Sequence, residues 1–476
     1  MYRVTVGLEV HAELKTATKM FCDCLNNPDE KTPNKNICPV CLAHPGTLPV
    51  INKEAVRKVL MVGEAVGGEQ AKEYTEFDRK NYFYPDIPKG YQISQYKYPL
   101  VRGGTLAGVA LTRIHLEEDT ARSQHPSTSS GQAQVSLVDY NRAGVPLMEL
   151  VTEPVIHSAE EAGAFARELQ LLLRSLGAGD ANMEKGEMRV EANISIAPTE
   201  GPSLDQGSSR TVLQLGTKVE VKNLNSFRSV ERAVAYEIER QSTLLQSGGM
   251  VVQETRGWDE SKQVTFSQRK KESSHDYRYF PDPDLPSVVL ADVAEYEKFV
   301  LPELPWERRA RYIKIGLKQE DAAMFVSQPE YGALFDESTK GLARGDERIA
   351  LSANYIANDL AGSGRSVDTK HFKAVIEMIA EGEVSSRAGK DILALVIETH
   401  TDPRAIAKEK GLYQQNDSGA LEDIARQVVA AHPSVATDFK AGKESALQFL
   451  IGQGMKMSKG SANPQQLRDA IQKVLG

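Results

Sequence analysis

The stretch VTVGLEVHAEL, residues Val4–Leu14, sets the fold of the first half of the chain. Its apolar side chains recur at every second position, at Val4, Val6, Leu8 and Val10. The positions between and after them hold Gly7, Glu9, His11 and Glu13. Because successive side chains of a strand point to opposite faces, this alternation predicts a strand with one buried face. The other face collects carboxylates and an imidazole, which a purely structural strand does not need.

Similar strands follow along the first half of the chain. MRVEANISI (188–196) and KVEVKN (218–223) alternate apolar with charged or polar residues. VALTRIHLEED (109–119) ends in three acids, and VSLVDYNRAG (135–144) is predicted to be its hairpin partner. Alternation of this kind predicts an antiparallel sheet that is packed on one face only.

Two amphipathic helices are predicted to cover the apolar face of this sheet. The first begins at Ser158, where Glu161 completes a capping-box pattern, and ends at Gly177. The second runs from Ser226 to Gln246. A sheet with helices on one side is an α+β layer, so the predicted fold class is α+β.

The opposite face of the sheet is polar. Its side chains include those of Glu9, His11, Arg189, Glu191, Asn193, Lys218 and Lys222. One interpretation is a solvated surface. The other is a cation site, because carboxylates and imidazole are ligands of Mg²⁺ or Mn²⁺, with basic residues between them to hold phosphate. The chain has no Walker A sequence and no helix-opening G-x-G-x-x-G, so a nucleotide would bind through metal and side chains.

Two aromatic segments are candidate walls of a nucleotide pocket. FDRKNYFYPD (77–86) and HDYRYFPDPDLP (275–286) both place basic residues beside tyrosines and end near a Pro-Asp turn. Such residues stack on bases and hold phosphates. The alternative is an aromatic turn that packs on the neighbouring cysteine loop.

All four cysteines of the chain lie within one short loop, residues 22–41. They form two close pairs, Cys22 with Cys24 and Cys38 with Cys41, which suits one tetrahedral zinc ion. Four sulfur ligands leave no open position, so the predicted role is to staple the loop. Disulfides or free thiols are the alternatives, and disulfides are disfavoured in a reducing compartment.

The bulk composition limits the function classes. The chain has 476 residues and a net charge of −8, which indicates several domains and no global sign of nucleic-acid binding. It has no apolar run long enough to cross a membrane and no signal segment, so a cytoplasmic protein is expected. We predict domain boundaries near residues 293 and 404. The section 404–476 has ten lysines and arginines against seven acids, a local charge of +3 that favours contact with RNA.

Several long motifs together resemble one known family. They are GLEVHAEL, FDRKNYFYPD, GYQISQY, LEED, NRAGVPLMELVTEP, KNLNSF, DYRYFPDPD and, near the C-terminus, GQGMKMSKGSANP. In this order they resemble the B subunit of the bacterial aspartyl/glutamyl-tRNA amidotransferases, and the resemblance spans nearly the whole chain.

The resemblance implies a fold and a reaction. It implies an α+β cradle domain (1–292) with the zinc loop, a helical domain (293–403) and a helical tail that binds tRNA (404–476). The implied reaction converts Glu-tRNA(Gln) or Asp-tRNA(Asn) to the amide. ATP, with Mg²⁺, phosphorylates the side-chain carboxylate, and ammonia then displaces the phosphate. The implied partners are an amidase subunit, which supplies the ammonia, and a third, small subunit, in a heterotrimer.

The resemblance also assigns roles to individual residues. It implies Mg²⁺ ligands at Glu9, His11 and Glu118, with Glu184 and Glu191 completing the acidic site. It implies Zn²⁺ ligands at Cys22, Cys24, Cys38 and Cys41. Nucleotide or acyl-end contacts are expected at Lys80, Tyr82, Lys222 and Asn223, and phosphate contacts to tRNA at Lys456 and Lys459.

The sequence departs from the family pattern at two places. Glu191 stands where the family usually has aspartate, and its extra methylene moves the carboxylate further from the backbone. The Ser-, Thr- and Gln-rich stretch 122–134 is longer than expected and is predicted to be a flexible hairpin tip. Two other function classes remain open on residue types alone: a non-catalytic RNA-binding subunit and a metal-dependent hydrolase.

Overall fold

The computed structural model describes residues 2–124, 136–199, 215–270, 277–362, 364–414, 418–458 and 462–476. The chain divides into two compact units, residues 1–305 and residues 306–476. The first unit carries the strands and three long helices, and the second is helical. This division confirms the predicted α+β class, with a sheet domain followed by helical structure.

The first unit is built on a large twisted sheet. The described strands of the first unit belong to this sheet and to two smaller ones. They are β1 Tyr2–Glu13, β2 Glu69–Gln70, β3 Asp78–Asn81, β4 Tyr91–Ser94, β5 Val101–Arg102, β6 Thr105–Leu106, β7 Val109–Glu118, β8 Arg122–Gln124, β9 Leu137–Asp139, β10 Pro146–Thr152, β11 Met188–Pro198, β12 Val219–Leu224, β13 Glu254–Asp259, β14 Val264–Lys270 and β15 Phe280–Pro281. The main sheet has the order β14-β13-β12-β11-β1-β10-β7-β5-β2, and β6 pairs with β7. Its neighbours are antiparallel except for the parallel pair β12 and β13.

The strand β1 lies at the centre of this sheet, and its even-numbered residues form the core. Val6, Leu8 and Val10 are almost completely buried. The helices of this unit are α1 Lys53–Ala65, α2 Ala159–Ser175 and α3 Phe227–Gln246. Ser158 caps α2 as the sequence predicts, and Ser226, the predicted start of the second helix, caps α3. Each side chain accepts a hydrogen bond from a first-turn amide. The helices α2 and α3 pack on each other, and α3 packs on β11 and β12.

The predicted hairpin between 109–119 and 135–144 is wrong. The strand β7 pairs instead with β10 and β5, while β9 pairs with β8 in a separate two-stranded sheet. The strand β9 therefore pairs with β8, which follows β7 in the chain, and the longer strand β10 lies beside β7. Most of the 122–134 stretch lies outside the described residues.

A smaller sheet of three strands, in the order β15-β3-β4, completes the first unit. It brings the two aromatic segments 77–86 and 275–286 together, because β15 pairs with β3. Phe77 also contacts Phe21 edge to face, with 5.5 Å between ring centroids. The aromatic segments thus pair with each other and also pack on the start of the cysteine loop.

The second unit is formed by helices. They are α4 Pro305–Ile315, α5 Gln319–Ser327, α6 Pro329–Ser338, α7 Glu347–Tyr355, α8 Thr369–Ala380, α9 Ser386–Thr399, α10 Pro403–Lys410, α11 Ser418–Ala431, α12 Pro433–Lys440, α13 Glu444–Met457 and α14 Pro464–Leu475. The last four share a core that includes Leu421, Val428, Leu450, Leu467 and Ile471. The predicted boundaries near 293 and 404 remain predictions. Within the described ranges, no helix combines the length and apolar character that a membrane crossing requires.

A buried ion network ties α3 to the sheet. The Glu237 side chain is fully buried and accepts hydrogen bonds from Arg240 Nε at 3.0 Å, Gln241 Nε2 at 3.0 Å and Thr265 Oγ1 at 3.1 Å. The guanidinium of Arg256 on β13 lies 3.7 Å away. Removal of the carboxylate would take away the acceptor of Arg240 and one of the two carboxylates next to Arg256, which keeps Glu254 at 2.5 Å.

We expect Glu237→Ala to lower the free energy of unfolding of the first unit by about 3–5 kcal/mol, because one side of a buried ion pair is lost. Urea unfolding followed by tryptophan fluorescence measures the change. Glu239→Ala, an exposed position on the same helix, is the matched control and should change stability by less than about 0.5 kcal/mol. Equal effects of the two substitutions would contradict a role for the network.

Candidate functional site

The strand β1 lies between β10 and β11 in the middle of the large sheet, and its polar side chains point to one face of that sheet. Antiparallel pairing places His11 directly opposite Glu149 on β10 and Glu149 directly opposite His115 on β7. Directly opposed residues carry their side chains on the same face of the sheet, close enough to interact. Three neighbouring strands therefore present a histidine, a glutamate and a histidine in one row.

Two further carboxylates join this row to form an acid–imidazole cluster of Glu9, His11, His115, Glu117 and Glu149. The Nε2 atom of His11 lies 3.4 Å from Glu149 and 3.6 Å from Glu9. The same atom lies 3.7 Å from Glu117, and His115 Nε2 lies 3.4 Å from Glu149. Glu117, Glu149 and His115 are buried, whereas Glu9 and His11 are partly open.

The cluster has the spacing and donors that a divalent cation needs. Two overlapping groups of the described residues, Glu9–His11–Glu149 and His115–Glu117–Glu149, place possible ligand atoms within 4.8 Å of one another. Ligands at about 2.1 Å from a shared Mg²⁺ lie roughly 3–4 Å apart. Carboxylate oxygens with imidazole nitrogens suit Mg²⁺ or Mn²⁺. These residues therefore fit the metal that the family resemblance implies.

The electrostatics of the cluster also favour a cation. Burial, together with the nearby Glu149, raises the pKa of Glu9 to about 7. Burial alone would lower the pKa of His11, but Glu149, Glu117 and Glu9 outweigh it and raise that pKa to about 9. Burial also raises the pKa of Glu117, whereas, despite burial, His115 and His11 hold the pKa of Glu149 well below its ordinary value, so Glu149 is ionised. A bound cation would supply the positive charge that the cluster needs, while His11 gave up its proton.

Glu118 does not join the cluster, and this corrects the expected grouping of Glu118 with Glu9 and His11. Its Oε2 atom accepts a hydrogen bond from Lys89 Nζ at 2.5 Å, and its Oε1 atom accepts one from the Ile93 amide at 3.0 Å. Adjacent residues of a strand face opposite ways, and Glu117 is the one that faces His11. The contacts of Glu118 hold the segment that leads into β4.

A cleft of about 320 Å³ opens beside the cluster. Its lining includes Glu9, His11, Lys80, Tyr82, Tyr84, Gln92, Glu117, Asp119, Arg189, Glu191 and Lys222. This volume is at the lower end of the range for small-molecule sites. A larger cleft of about 880 Å³ lies at the β2 edge of the sheet, but it holds no part of the acid–imidazole cluster.

Three basic side chains reach the cleft, each in a different setting. Lys222 Nζ contacts the Glu191 carboxylate at 2.6 Å. The ammonium of Lys80 lies 5.2 Å from the Tyr277 ring centroid, and the buried acid Glu117 raises the pKa of Lys80 despite burial. These contacts keep both lysines charged and hold them in the wall of the cleft, next to its carboxylates.

The third basic group, Arg189, is oriented by Asp119. Its guanidinium donates a hydrogen bond to Asp119 Oδ2 at 2.9 Å, and Arg142 lies 3.6 Å from the same oxygen. Two arginines thus share one carboxylate, so the local charge is positive. Arg189 stands opposite His11 in the β1–β11 register, which places this positive charge next to the acid–imidazole cluster.

Comparison with known proteins supports the same interpretation of the whole chain. A family model described as the GatB/GatE catalytic domain matches residues 4–295, and one described as the GatB domain matches residues 334–475. A relative from Carboxydothermus hydrogenoformans, named as the B subunit of aspartyl/glutamyl-tRNA(Asn/Gln) amidotransferase, is 41% identical over 99% of both chains. Relatives of the same name from Brevibacillus brevis and Thermotoga maritima are 42% and 41% identical, over 100% of this chain and 99% of theirs.

The chain belongs to the B-subunit family of the aspartyl/glutamyl-tRNA amidotransferases. It is therefore an enzyme subunit, and the acid–imidazole cluster lies within the region that the catalytic-domain model matches.

The cysteine loop of this B-subunit family member fits a zinc ion. The Sγ atoms of Cys22, Cys24, Cys38 and Cys41 all lie within 4.8 Å of one another, and those of Cys24 and Cys41 are 4.0 Å apart. Tetrahedral bonds of about 2.3 Å to zinc separate sulfur atoms by roughly 3.8 Å. The buried Lys19 places its Nζ 3.9 Å from Cys41 Sγ, where a positive charge offsets thiolate charge.

Glu184 and Asn223 are not among the residues that line the cleft. Glu184 is exposed, in the turn before β11, and Asn223 is exposed with φ of 66° at a register shift between β11 and β12. Lys456 is exposed near the end of α13, and Lys459 lies outside the described residues. The predicted roles of these four residues remain predictions.

Sequence reasoning missed Glu149, His115 and Glu117 as members of the cluster. A signal for Glu149 was present, because it is the one charged residue of the strand PLMELVT. A charge inside a buried apolar strand needs a partner. Glu117 is one of the three acids that end its segment, but the sequence did not show which of them faces His11, and His115 had no comparable signal.

Removal of zinc ligands should expose the role of the cysteine loop. We expect the purified protein to hold one zinc per chain by elemental mass spectrometry, and Cys38→Ala to lose most of it and to unfold at a lower temperature, because metal binding is coupled to folding of the loop. His44→Ala, an exposed neighbour in the same loop, should retain the metal. Wild-type protein without zinc, with four titratable thiols, would refute this assignment.

Proposed function

We propose that this chain is the ATP-dependent subunit of a tRNA amidotransferase that acts on Glu-tRNA(Gln), Asp-tRNA(Asn) or both. The γ-phosphoryl group passes from ATP to a side-chain carboxylate oxygen of the aminoacyl group, and ADP leaves. Ammonia then attacks the carbonyl carbon, and inorganic phosphate leaves as the amide forms. The names of the relatives support this substrate class.

The observation that carries the proposal is the acid–imidazole cluster beside a cleft with basic walls. Phosphoryl transfer needs positive charge around the transferred oxygens and close placement of the two reactants. Glu9, His11 and Glu149 are the residues that would hold Mg²⁺, which when bound neutralises phosphate oxygens. Lys80 and Arg189 would hold the phosphate oxygens from the other walls of the cleft.

The lining of the cleft also fits a reaction without a protein nucleophile. The described residues that line it include no cysteine and no serine, and the substrate itself supplies the attacking carboxylate. An acyl phosphate hydrolyses readily, so the site must limit access of water. Tyr82 and Tyr84 line the cleft, and their rings would shield the intermediate when substrate is bound.

The proposed chemistry requires partners. Because the described lining of the cleft shows no machinery for releasing ammonia from glutamine, we assign that step to a partner amidase subunit, with a further small subunit completing a heterotrimer. The names of the relatives, which describe one subunit of an amidotransferase, support a multi-subunit enzyme. Cofactors are ATP and Mg²⁺ at the cleft and Zn²⁺ in the cysteine loop, and we place the enzyme in the cytoplasm, where charged tRNA is used.

Substitution of Glu149 gives the sharpest test of this function. We expect Glu149→Gln to lower ADP release with mischarged tRNA at least 100-fold in the assembled enzyme, because the side chain keeps its shape and loses the charge next to both histidines. Glu239→Gln, at an exposed acid on α3 with no predicted role in the site, should keep turnover within about twofold.

Glutaminase activity of the assembled enzyme provides the fold control for Glu149→Gln and should persist. Normal ADP release by Glu149→Gln would argue for a non-catalytic RNA-binding subunit. Cleavage of RNA by this chain alone with Mg²⁺ would argue for a hydrolase.

A further inference from the structure

Five tyrosine rings form a continuous row that begins in the cleft, and we call it the tyrosine track: Tyr84, Tyr82, Tyr277, Tyr279 and Tyr96. Successive ring centroids lie 6.0, 5.8, 6.1 and 4.5 Å apart. The first three contacts are edge to face, and the last pair is stacked with 10° between the ring planes. Each contact is therefore within the normal range for interacting aromatic rings.

The small sheet builds this row from segments far apart in sequence. β15 pairs with β3, and β3 with β4, so residues 277–279 and 82–84 come to lie beside Tyr96. The alternation of β3 sends Lys80 toward the cleft and Arg79 to the other face, where it pairs with Asp282 at 2.8 Å. The tyrosine track lies on the Lys80 side.

The two ends of the track differ in their surroundings. Tyr82 and Tyr84 line the cleft, whereas Tyr96 is 52% exposed outside it. Lys80 lies over the rings of Tyr82 and Tyr277, with its Nζ 5.8 and 5.2 Å from their centroids. The track thus runs from a cationic end in the cleft to an end outside it, and the terminal rings of Tyr84 and Tyr96 are both about half exposed, at 53% and 52%.

Aromatic rows with interspersed positive charge are the usual surface for single-stranded nucleic acid. Bases stack on rings without regard to sequence, and the cation attracts the phosphodiester backbone. The length of the row decides between ligands. A mononucleotide such as ATP carries one base and would use one or two rings, whereas five rings suit several consecutive bases.

We propose that the tyrosine track binds the unpaired 3′ end of the tRNA substrate and leads its terminal, aminoacylated nucleotide into the cleft. This inference rests on the proposed function. The acyl group is attached to the terminal ribose, so the terminal nucleotide must reach the acid–imidazole cluster. The preceding unpaired nucleotides must then leave the cleft over an adjoining surface, and the track is continuous with the cleft.

Binding measurements on the assembled enzyme test the proposal without any turnover. The probes are deacylated full-length tRNA and the same tRNA without its unpaired 3′ nucleotides. We expect Tyr96→Ala to raise the Kd of full-length tRNA about 5- to 100-fold, the range that stacking of one base provides. Tyr96→Phe keeps the ring and should bind normally. The truncated tRNA should bind equally to wild type and Tyr96→Ala.

Tyr74→Ala is the matched control, because Tyr74 is also exposed and contacts a second tyrosine, Tyr98, at 4.9 Å. It should leave the Kd of both tRNAs unchanged. Tyr279→Ala should reproduce the effect of Tyr96→Ala, which guards against a purely local defect at position 96.

Three results would overturn the proposal. Unchanged tRNA binding by Tyr96→Ala and Tyr279→Ala would show that the row is packing alone. A raised KM for ATP with normal tRNA binding would assign the rings to adenine. An equal loss for full-length and truncated tRNA would place the contact outside the 3′ end. Failure of the proposed function is distinguishable, because it would appear as normal ADP release by Glu149→Gln whatever the binding result.

Discussion

The contact between His11 and Glu149 across β1 and β10 is the constraint on which the site depends. Burial of several carboxylates on one sheet face is costly unless positive charge accompanies them. His11, Lys80 and Arg189 supply part of that charge from three different elements of the first unit. The sheet register fixes the row of opposed residues, so a slip of β1 by one residue would send Glu9 and His11 to the apolar face.

The cysteine loop is joined to the same region by hydrogen bonds. Asn141 Oδ1 accepts from the amides of Lys35 and Asn36 at 2.9 and 2.8 Å, and Lys19 Nζ donates to the Tyr140 carbonyl at 3.2 Å. Tyr140 Oη in turn donates to the Pro85 carbonyl at 3.1 Å, in the segment that follows Tyr84. The cysteine loop thus supports the segment of chain that forms one wall of the cleft.

The sequence predicted much of this fold because its local signals agree with the tertiary structure. Alternation predicted the strand β1, and the capping box at Ser158 predicted the start of α2. The range from Ser226 to Gln246 matches α3, and the cysteine spacing predicted one compact group of sulfur atoms. The choice of Glu118 came from the family resemblance and not from the strand pattern. The pattern alone would not have identified Glu117 either, because Val151 pairs with Arg113 and Thr152 with Leu111, so a bulge at Thr112 reverses the alternation of β7.

The sequence did not predict which distant segments lie side by side, and the reason is different. Which strand lies beside β7 depends on competition between segments, and the sequence of 135–144 looked as suitable as β10. The tyrosine track likewise unites residues about 195 positions apart, and no local pattern reports such a meeting. The sequence identified many of the residue types in the site, but only the register of the sheet showed that their side chains meet at one cleft.

The most direct test of the central claim is anomalous diffraction from crystals of the assembled enzyme soaked with Mn²⁺. The account predicts one strong peak within coordination distance of Glu9, His11 and Glu149, and its loss in Glu149→Gln crystals. A peak at Glu118 and Lys89 instead, or no peak near the cluster when Mn²⁺ supports turnover, would contradict it.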